Sequence, residues 1–248
     1  MSTDNTNEFQ IVVMRYMEDV SWTENLENVI IYNKGNKIES RHKVINLPNI
    51  GMFHASQFYH CITHYNNLAD TTLFIQGNPF DGDLEVKLGI KNNKEDLERL
   101  INYYKDIPED CVCSMPPYTH VLYNAYEQPF NWNQRHHDIF ITYTHTWQEF
   151  LDELIDPERL INWKLPTMFF KCGHISLKKE AILSNPVEYY IKLLQYWKYD
   201  VPCAEWLAES ILGLFFNIAN NRKLVNLNHD MIDYSNLEDY TKWIYEIK

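Results

Sequence analysis

Between Thr71 and Asp83 the chain reads TTLFIQGNPFDGD. A β-branched, apolar run from Thr71 to Ile75 stops at Gln76-Gly77, and the turn-forming, acidic loop Asn78-Pro79-Phe80-Asp81-Gly82-Asp83 follows at once. A short apolar run closed by glycine reads as an inner strand of a sheet. In open α/β sheets, ligands bind in the crevice beyond the carboxyl ends of the strands. Asp81 and Asp83 put two hard oxygen ligands on one short loop, which suits Mg²⁺ or Mn²⁺ holding a substrate diphosphate. Asp, Gly, Pro and Asn also make ordinary exposed turns. The neighbouring segments therefore decide between the two readings.

Those neighbours repeat the pattern. Residues 9–14 (FQIVVM) read as a buried strand ending in the polar cluster Arg15-Tyr16-Met17-Glu18-Asp19. Residues 28–32 (NVIIY) read as a second strand, with Asn33-Lys34-Gly35 as its turn. Helical spacing over 54–65 (Phe58, Cys61, Ile62, Tyr65) and over 94–104 (Leu97, Leu100, Ile101, Tyr104) predicts two amphipathic helices. Strand, strand, helix, strand, helix argues for an α/β fold: a mixed, mostly parallel sheet flanked by helices. Further along, 107–137 reads as ordered irregular structure, 138–143 and 169–175 as strands, and 146–154, 178–184, 186–197, 203–219 and 237–247 as helices. With no repeat and no low-complexity linker, the expectation is a disordered tail over 1–8 and a single domain over 9–248.

Composition removes several function classes. The chain has 248 residues, 45% of them hydrophobic, enough for a sizeable core. Its net charge is −12 and no Lys/Arg cluster interrupts the acidic balance, which argues against a nucleic-acid partner. Phosphate substrates stay compatible if a metal supplies positive charge. The first ten residues hold no apolar run like that of a signal peptide, and no stretch is long and apolar enough for a membrane span. Five scattered cysteines read as reduced thiols, so the expected location is the cytoplasm, or host cytoplasm or virion for a viral protein. With 7 glycines, no Gly-x-Ser-x-Gly elbow and no phosphate-binding glycine loop, the common hydrolase, P-loop and dinucleotide readings drop out. The ten histidines are not at the spacing of a zinc protease or another known metal motif; most read as surface or structural residues, and His136-His137-Asp138 is a weak pattern for a ligand site.

Three polar clusters thus end predicted strands: Arg15–Asp19, Asn33–Gly35 and Gln76–Asp83. A doubly wound sheet would bring them to one edge. Two further elements carry possible chemistry. One is Lys171-Cys172-Gly173-His174 with Ser176. The other is Glu205 and Glu209, one turn apart on the apolar 203–219 helix, where a carboxylate needs a partner or a task.

In order along the chain stand Arg15-Tyr16-x-Glu18-Asp19-x-x-Trp22, Tyr32-Asn33-Lys34-Gly35, Leu47-Pro48-Asn49-Ile50-Gly51 and Leu68-x-Asp70-x-Thr72-x-Phe74-Ile75-Gln76-Gly77-x-Pro79-Phe80-Asp81. This series resembles an uncharacterised-domain family of large DNA viruses, fungi and bacteria that is similar to GT-A-type glycosyltransferases. The resemblance extends to Gly173-x-Ile175-x-Leu177-x-x-Glu180, which looks like an acceptor-side region, and to Glu209-x-x-x-Gly213-x-Phe215-Phe216, which resembles a helix carrying a base. It implies a GT-A-like (Rossmann-like) fold and a metal-assisted, inverting transfer of sugar from a nucleoside diphosphate sugar to a hydroxyl of a glycan or protein-glycan acceptor. The donor would lie on Arg15, Tyr16, Glu18, Asp19, Asn33, Lys34, Gln76 and Gly77. Asp81 and Asp83 would hold Mn²⁺ or Mg²⁺, and Glu209 would take the acceptor proton. The chain departs from the family where Met52-Phe53 replaces an Arg-Glu pair and Gly82 replaces a His. These departures support a rival reading, a non-catalytic nucleotide- or carbohydrate-binding protein on the same fold. A metal-dependent phosphoesterase would use the same acidic loop.

Overall fold

The structure is a computed structural model that describes residues 8–80, 93–105, 111–113, 119–120, 167–168, 174–197 and 216. Strand β1 (Phe9–Arg15) lies in the middle of the sheet. It pairs in parallel with β2 (Val29–Asn33) on one side and with β4 (Thr71–Gln76) on the other. Strand β3 (Lys43–Asn46) adds in parallel outside β2. Beyond β4 come β8 (Ile175–Lys178), antiparallel, and then β5 (Cys111–Cys113). The order is β3-β2-β1-β4-β8-β5, and β6 (Thr119–His120) pairs with β7 (Thr167–Met168) in a separate two-stranded sheet. The expected mixed, mostly parallel sheet is therefore present, and the runs 9–14, 28–32 and 71–75 are its adjacent central strands.

Strand periodicity sorts the core into two layers. Val12 and Met14 of β1, Ile30 and Tyr32 of β2 and Phe74 of β4 face helix α1 (Met52–His64). Helices α3 (Lys179–Leu183) and α4 (Val187–Trp197) add Ile182, Tyr190 and Leu193 to that layer. Ile11, Val13, Ile31, Leu73 and Ile75 face helix α2 (Lys94–Lys105), whose predicted stripe Leu97, Leu100, Ile101 and Tyr104 is buried. Asn93 caps α2: its side-chain oxygen accepts the Asp96 N–H at 2.9 Å. Gly51 opens α1 in the left-handed region at φ 61°, which a glycine adopts without Cβ strain.

Four expectations change. β3 escaped the sequence reading because Lys43 to Asn46 is short and its side chains are only half-buried or exposed, so no apolar run marks it. Of the strand expected over 169–175, 169–173 lie outside the described residues; His174 precedes a strand that runs Ile175–Lys178, where Ile175, Ser176 and Leu177 are buried. Lys178 accordingly belongs to a strand, and the helix begins at Lys179. Within 107–137, read as irregular, the described residues Cys111–Cys113 and Thr119–His120 are strands, too short for periodicity to reveal between prolines, and the rest lie outside the described residues. The elements expected over 138–143, 146–154 and 237–247, and all of the 203–219 helix except the buried Phe216, lie outside the described residues.

Candidate functional site at the carboxyl edge of the sheet

The chain winds outward from β1 through β2 to β3, then returns to β4 on the other side of β1. Such a reversal of strand order leaves a crevice at the carboxyl ends, between β1 and β4. The described parts of the three polar clusters meet at this edge because β2, β1 and β4 are parallel and in adjacent register, Arg15 opposite Asn33 and Met14 opposite Gln76.

Arg15 joins β1 to β2. It is only 7% exposed. Its Nε donates to the Glu18 carbonyl at 2.8 Å. Its Nη1 donates to the Tyr16 carbonyl at 2.9 Å, the Asn33 Oδ1 at 2.5 Å and the Asn36 carbonyl at 3.2 Å. Nη2 has no hydrogen-bond partner among the described residues. Asn33, also buried, donates through Nδ2 to Asn46 Oδ1 at 2.9 Å and the Asn36 carbonyl at 3.1 Å, which ties in β3. Two of the side chains expected at the donor thus use most of their polar atoms to hold loops together.

The β1–β4 junction is closed by the same loop. The Gly77 N–H donates to the Met14 carbonyl at 2.9 Å, continuing the ladder one residue past β4. The Trp22 indole N–H donates to the Gly77 carbonyl at 2.7 Å. Glu18 lies against the Gly77 Cα, and its Oε2 accepts the Tyr16 N–H at 2.6 Å. The approach is close: a Cβ on Gly77 would stand 2.7 Å from Glu18 Oε2. Asp19 accepts from both the backbone N–H and the hydroxyl of Ser21, each at 2.9 Å. Those two bonds, with Arg15 nearby, hold its carboxyl below the usual carboxylate range.

An open cleft of about 480 Å³ is lined by Arg15, Glu18, Asp19 and Ser21 from the segment after β1 and by Glu39 and Arg41 from the segment before β3, with no described residue of β4 or of the loop after it. Of the expected donor residues, Arg15, Glu18 and Asp19 reach this cleft. Tyr16, 51% exposed, stands on the surface next to Gly35. Lys34 Nζ donates to the Ile50 carbonyl at 2.7 Å, and Gln76 is half-buried at the end of β4. Asp81, Asp83, Glu205 and Glu209 lie outside the described residues, as do Lys171, Cys172 and Gly173. Among the described residues no group of three or more His, Cys, Asp or Glu is arranged to hold a metal.

His174 and Ser176 are core residues. The Ser176 hydroxyl donates to the Tyr104 carbonyl at 3.1 Å. His174 is buried, with Nε2 unpartnered among the described residues. Burial pushes its imidazole from the usual 6.5 down to about 3. The unfolded chain protonates this group below pH 6.5 and the folded chain only below about 3. Its contribution to stability is therefore complete above pH 6.5 and is lost progressively as pH falls through that window. The loss amounts to roughly 1 kcal/mol per pH unit. His174→Leu should flatten this part of the acid dependence. Urea unfolding of both proteins, at about pH 7 and about pH 4.5, reads the difference. Parallel losses in the two would show that His174 does not carry it.

Compared with family models, with curated proteins and with solved structures, the chain matches none of them. Among the described residues no helix is long and apolar enough to cross a membrane.

Proposed function

We propose that this protein is a nucleotide-sugar-dependent glycosyltransferase of GT-A type, moving a sugar from a nucleoside diphosphate to a hydroxyl acceptor. The observation that supports it most is the reversal of strand order between β1 and β4, with the three polar loops on that one edge. On this reading the donor lies across the Arg15–Asp19 loop and Asn33-Lys34, with Gln76-Gly77 beneath its diphosphate. Asp81 and Asp83 offer the hard oxygens that fit Mg²⁺ or Mn²⁺, which would neutralise the leaving diphosphate. Glu209 is the base of this proposal.

A second reading, a binding protein that keeps the fold without the reaction, is favoured by one observation. Arg15 and Asn33 bond chiefly to the protein itself.

The test is thermal shift and calorimetry with a panel of nucleoside diphosphate sugars, each with Mn²⁺ and with chelator. A donor at about 100 times its Kd should add about 2.7 kcal/mol of stability. Mn²⁺ should strengthen binding, because diphosphate beside uncompensated carboxylates is repelled and an intervening cation reverses the sign. Asp81→Asn should abolish that enhancement. Equal affinity with Mn²⁺ and chelator would remove the metal role, and no binding across the panel would remove the transferase. Donor binding without turnover would favour the second reading.

A further inference from the structure

We propose that His60 and His64 form a two-imidazole site for a borderline transition-metal ion, of the class Cu²⁺, Ni²⁺ or Zn²⁺. The two residues are four apart on α1 and so share one helix face. Their rings are stacked, with centroids 4.3 Å apart and planes within 14°.

Each ring uses Nδ1 on a hydroxyl. His60 Nδ1 is 3.0 Å from the Tyr32 hydroxyl, and His64 Nδ1 is 3.0 Å from Thr63 Oγ1. That leaves Nε2 of each ring over. His60 is fully buried, yet its Nε2 meets no protein partner among the described residues. A buried polar atom left in this way costs about 1–3 kcal/mol and calls for an explanation. In the tautomer that donates Nδ1–H to the Tyr32 oxygen, Nε2 carries a free lone pair. Metal-ligating histidines are held the same way, with the far nitrogen bonded to a second group that fixes the ring.

His64 is half-buried at the end of α1, which leaves the pair a way in from solvent. Coordination by both rings requires the more exposed His64 ring to turn so that the two lone pairs converge, with water as the remaining ligands. Lys43 of β3 is the charged neighbour that acts on both rings. Its ammonium disfavours imidazolium, which keeps the ligands neutral, but it also opposes a divalent cation. Removing that charge should therefore tighten metal binding. Imidazole ligands select against Mg²⁺, so this site is chemically separate from a carboxylate loop.

The experiment is calorimetric titration of the full chain, stripped with chelator and then dialysed, using Cu²⁺ or Zn²⁺ alone at neutral pH. The wild type is compared with His64→Gln and Lys43→Gln, substitutions at half-buried and exposed positions where folding should survive. The other histidines and the cysteines contribute equally to every isotherm, so the difference reports this pair. One site should weaken by about tenfold or more in His64→Gln and strengthen in Lys43→Gln. Copper bound to the wild type should show nitrogen couplings in its electron paramagnetic resonance spectrum that decrease in His64→Gln. Superimposable wild-type and His64→Gln isotherms would overturn the proposal and leave the pair as packing against Phe74, whose ring stands edge-on to His60 at 5.5 Å. Neither result depends on whether the protein binds a nucleotide sugar.

Discussion

Gly35→Ala should destabilise the protein by roughly 3 kcal/mol, the upper part of the range for forcing atoms into a filled space. A Cβ on Gly35 would stand 1.5 Å from the Tyr16 carbonyl oxygen and 3.1 Å from the Met17 sulfur. The first of these is backbone, so no side-chain rotation relieves the clash. The carbonyl that must move is the one that accepts from Arg15 Nη1. Its displacement therefore loosens the Arg15–Asn33 junction as well. Gly77→Ala is the comparison. There the nearest atom is Glu18 Oε2 at 2.7 Å, the far end of a flexible side chain. Glu18 can swing away and lose its bond to the Tyr16 N–H, so the penalty should be smaller. Urea midpoints of the two variants measure the contrast. Equal midpoints would show that the β1 and β2 loops part easily at Gly35.

The layout of the sheet was legible because three apolar runs each end in a polar cluster. That pattern predicts parallel neighbours with a common carboxyl edge, and β2, β1 and β4 form that arrangement. The outer strands were less legible. Lys43–Asn46 pairs with β2 through its backbone while its side chains stay half-buried or exposed, so hydrophobic pattern carries no trace of it. For the site, residue type and strand position placed Arg15, Asn33 and Gly77 at the same edge. They did not reveal what each side chain bonds. A guanidinium at a strand end looks the same in sequence whether it faces a phosphate or three carbonyls. The close approaches at Gly35 and Gly77 depend on chain segments 19 and 59 residues away, Tyr16 and Glu18 respectively, which no local motif encodes. His60 and His64 did carry a signal, a four-residue spacing within a predicted helix. By itself that spacing matches no longer metal motif.

Arg15→Ala should cost roughly 2–4 kcal/mol of stability, a large part of what a domain of this kind possesses. Four hydrogen bonds from one charged group disappear. Asn33 keeps the Gly35 N–H at 3.2 Å on its Oδ1, and the Asn36 carbonyl keeps the Asn33 amide, so these acceptors are not orphaned. The heavier loss is geometric. Among the described residues, Arg15 alone links the Tyr16 and Glu18 carbonyls on one loop to Asn33 and Asn36 on the next. Arg15→Lys retains the charge but not the planar fork, and a single ammonium cannot reach four acceptors arranged around two nitrogens. It should recover only part of the loss. A different result distinguishes the alternative role. If Arg15 serves chiefly through Nη2 as a ligand contact in the cleft, Arg15→Lys should leave the urea midpoint within about 0.5 kcal/mol of wild type while weakening donor binding. The buried position of the side chain favours the first outcome. An exposed ligand-binding arginine would not need four protein acceptors, whereas one that fixes the carboxyl edge does. On that view Arg15 sets the shape of the site, and the contacts that choose the ligand come from the loops it holds.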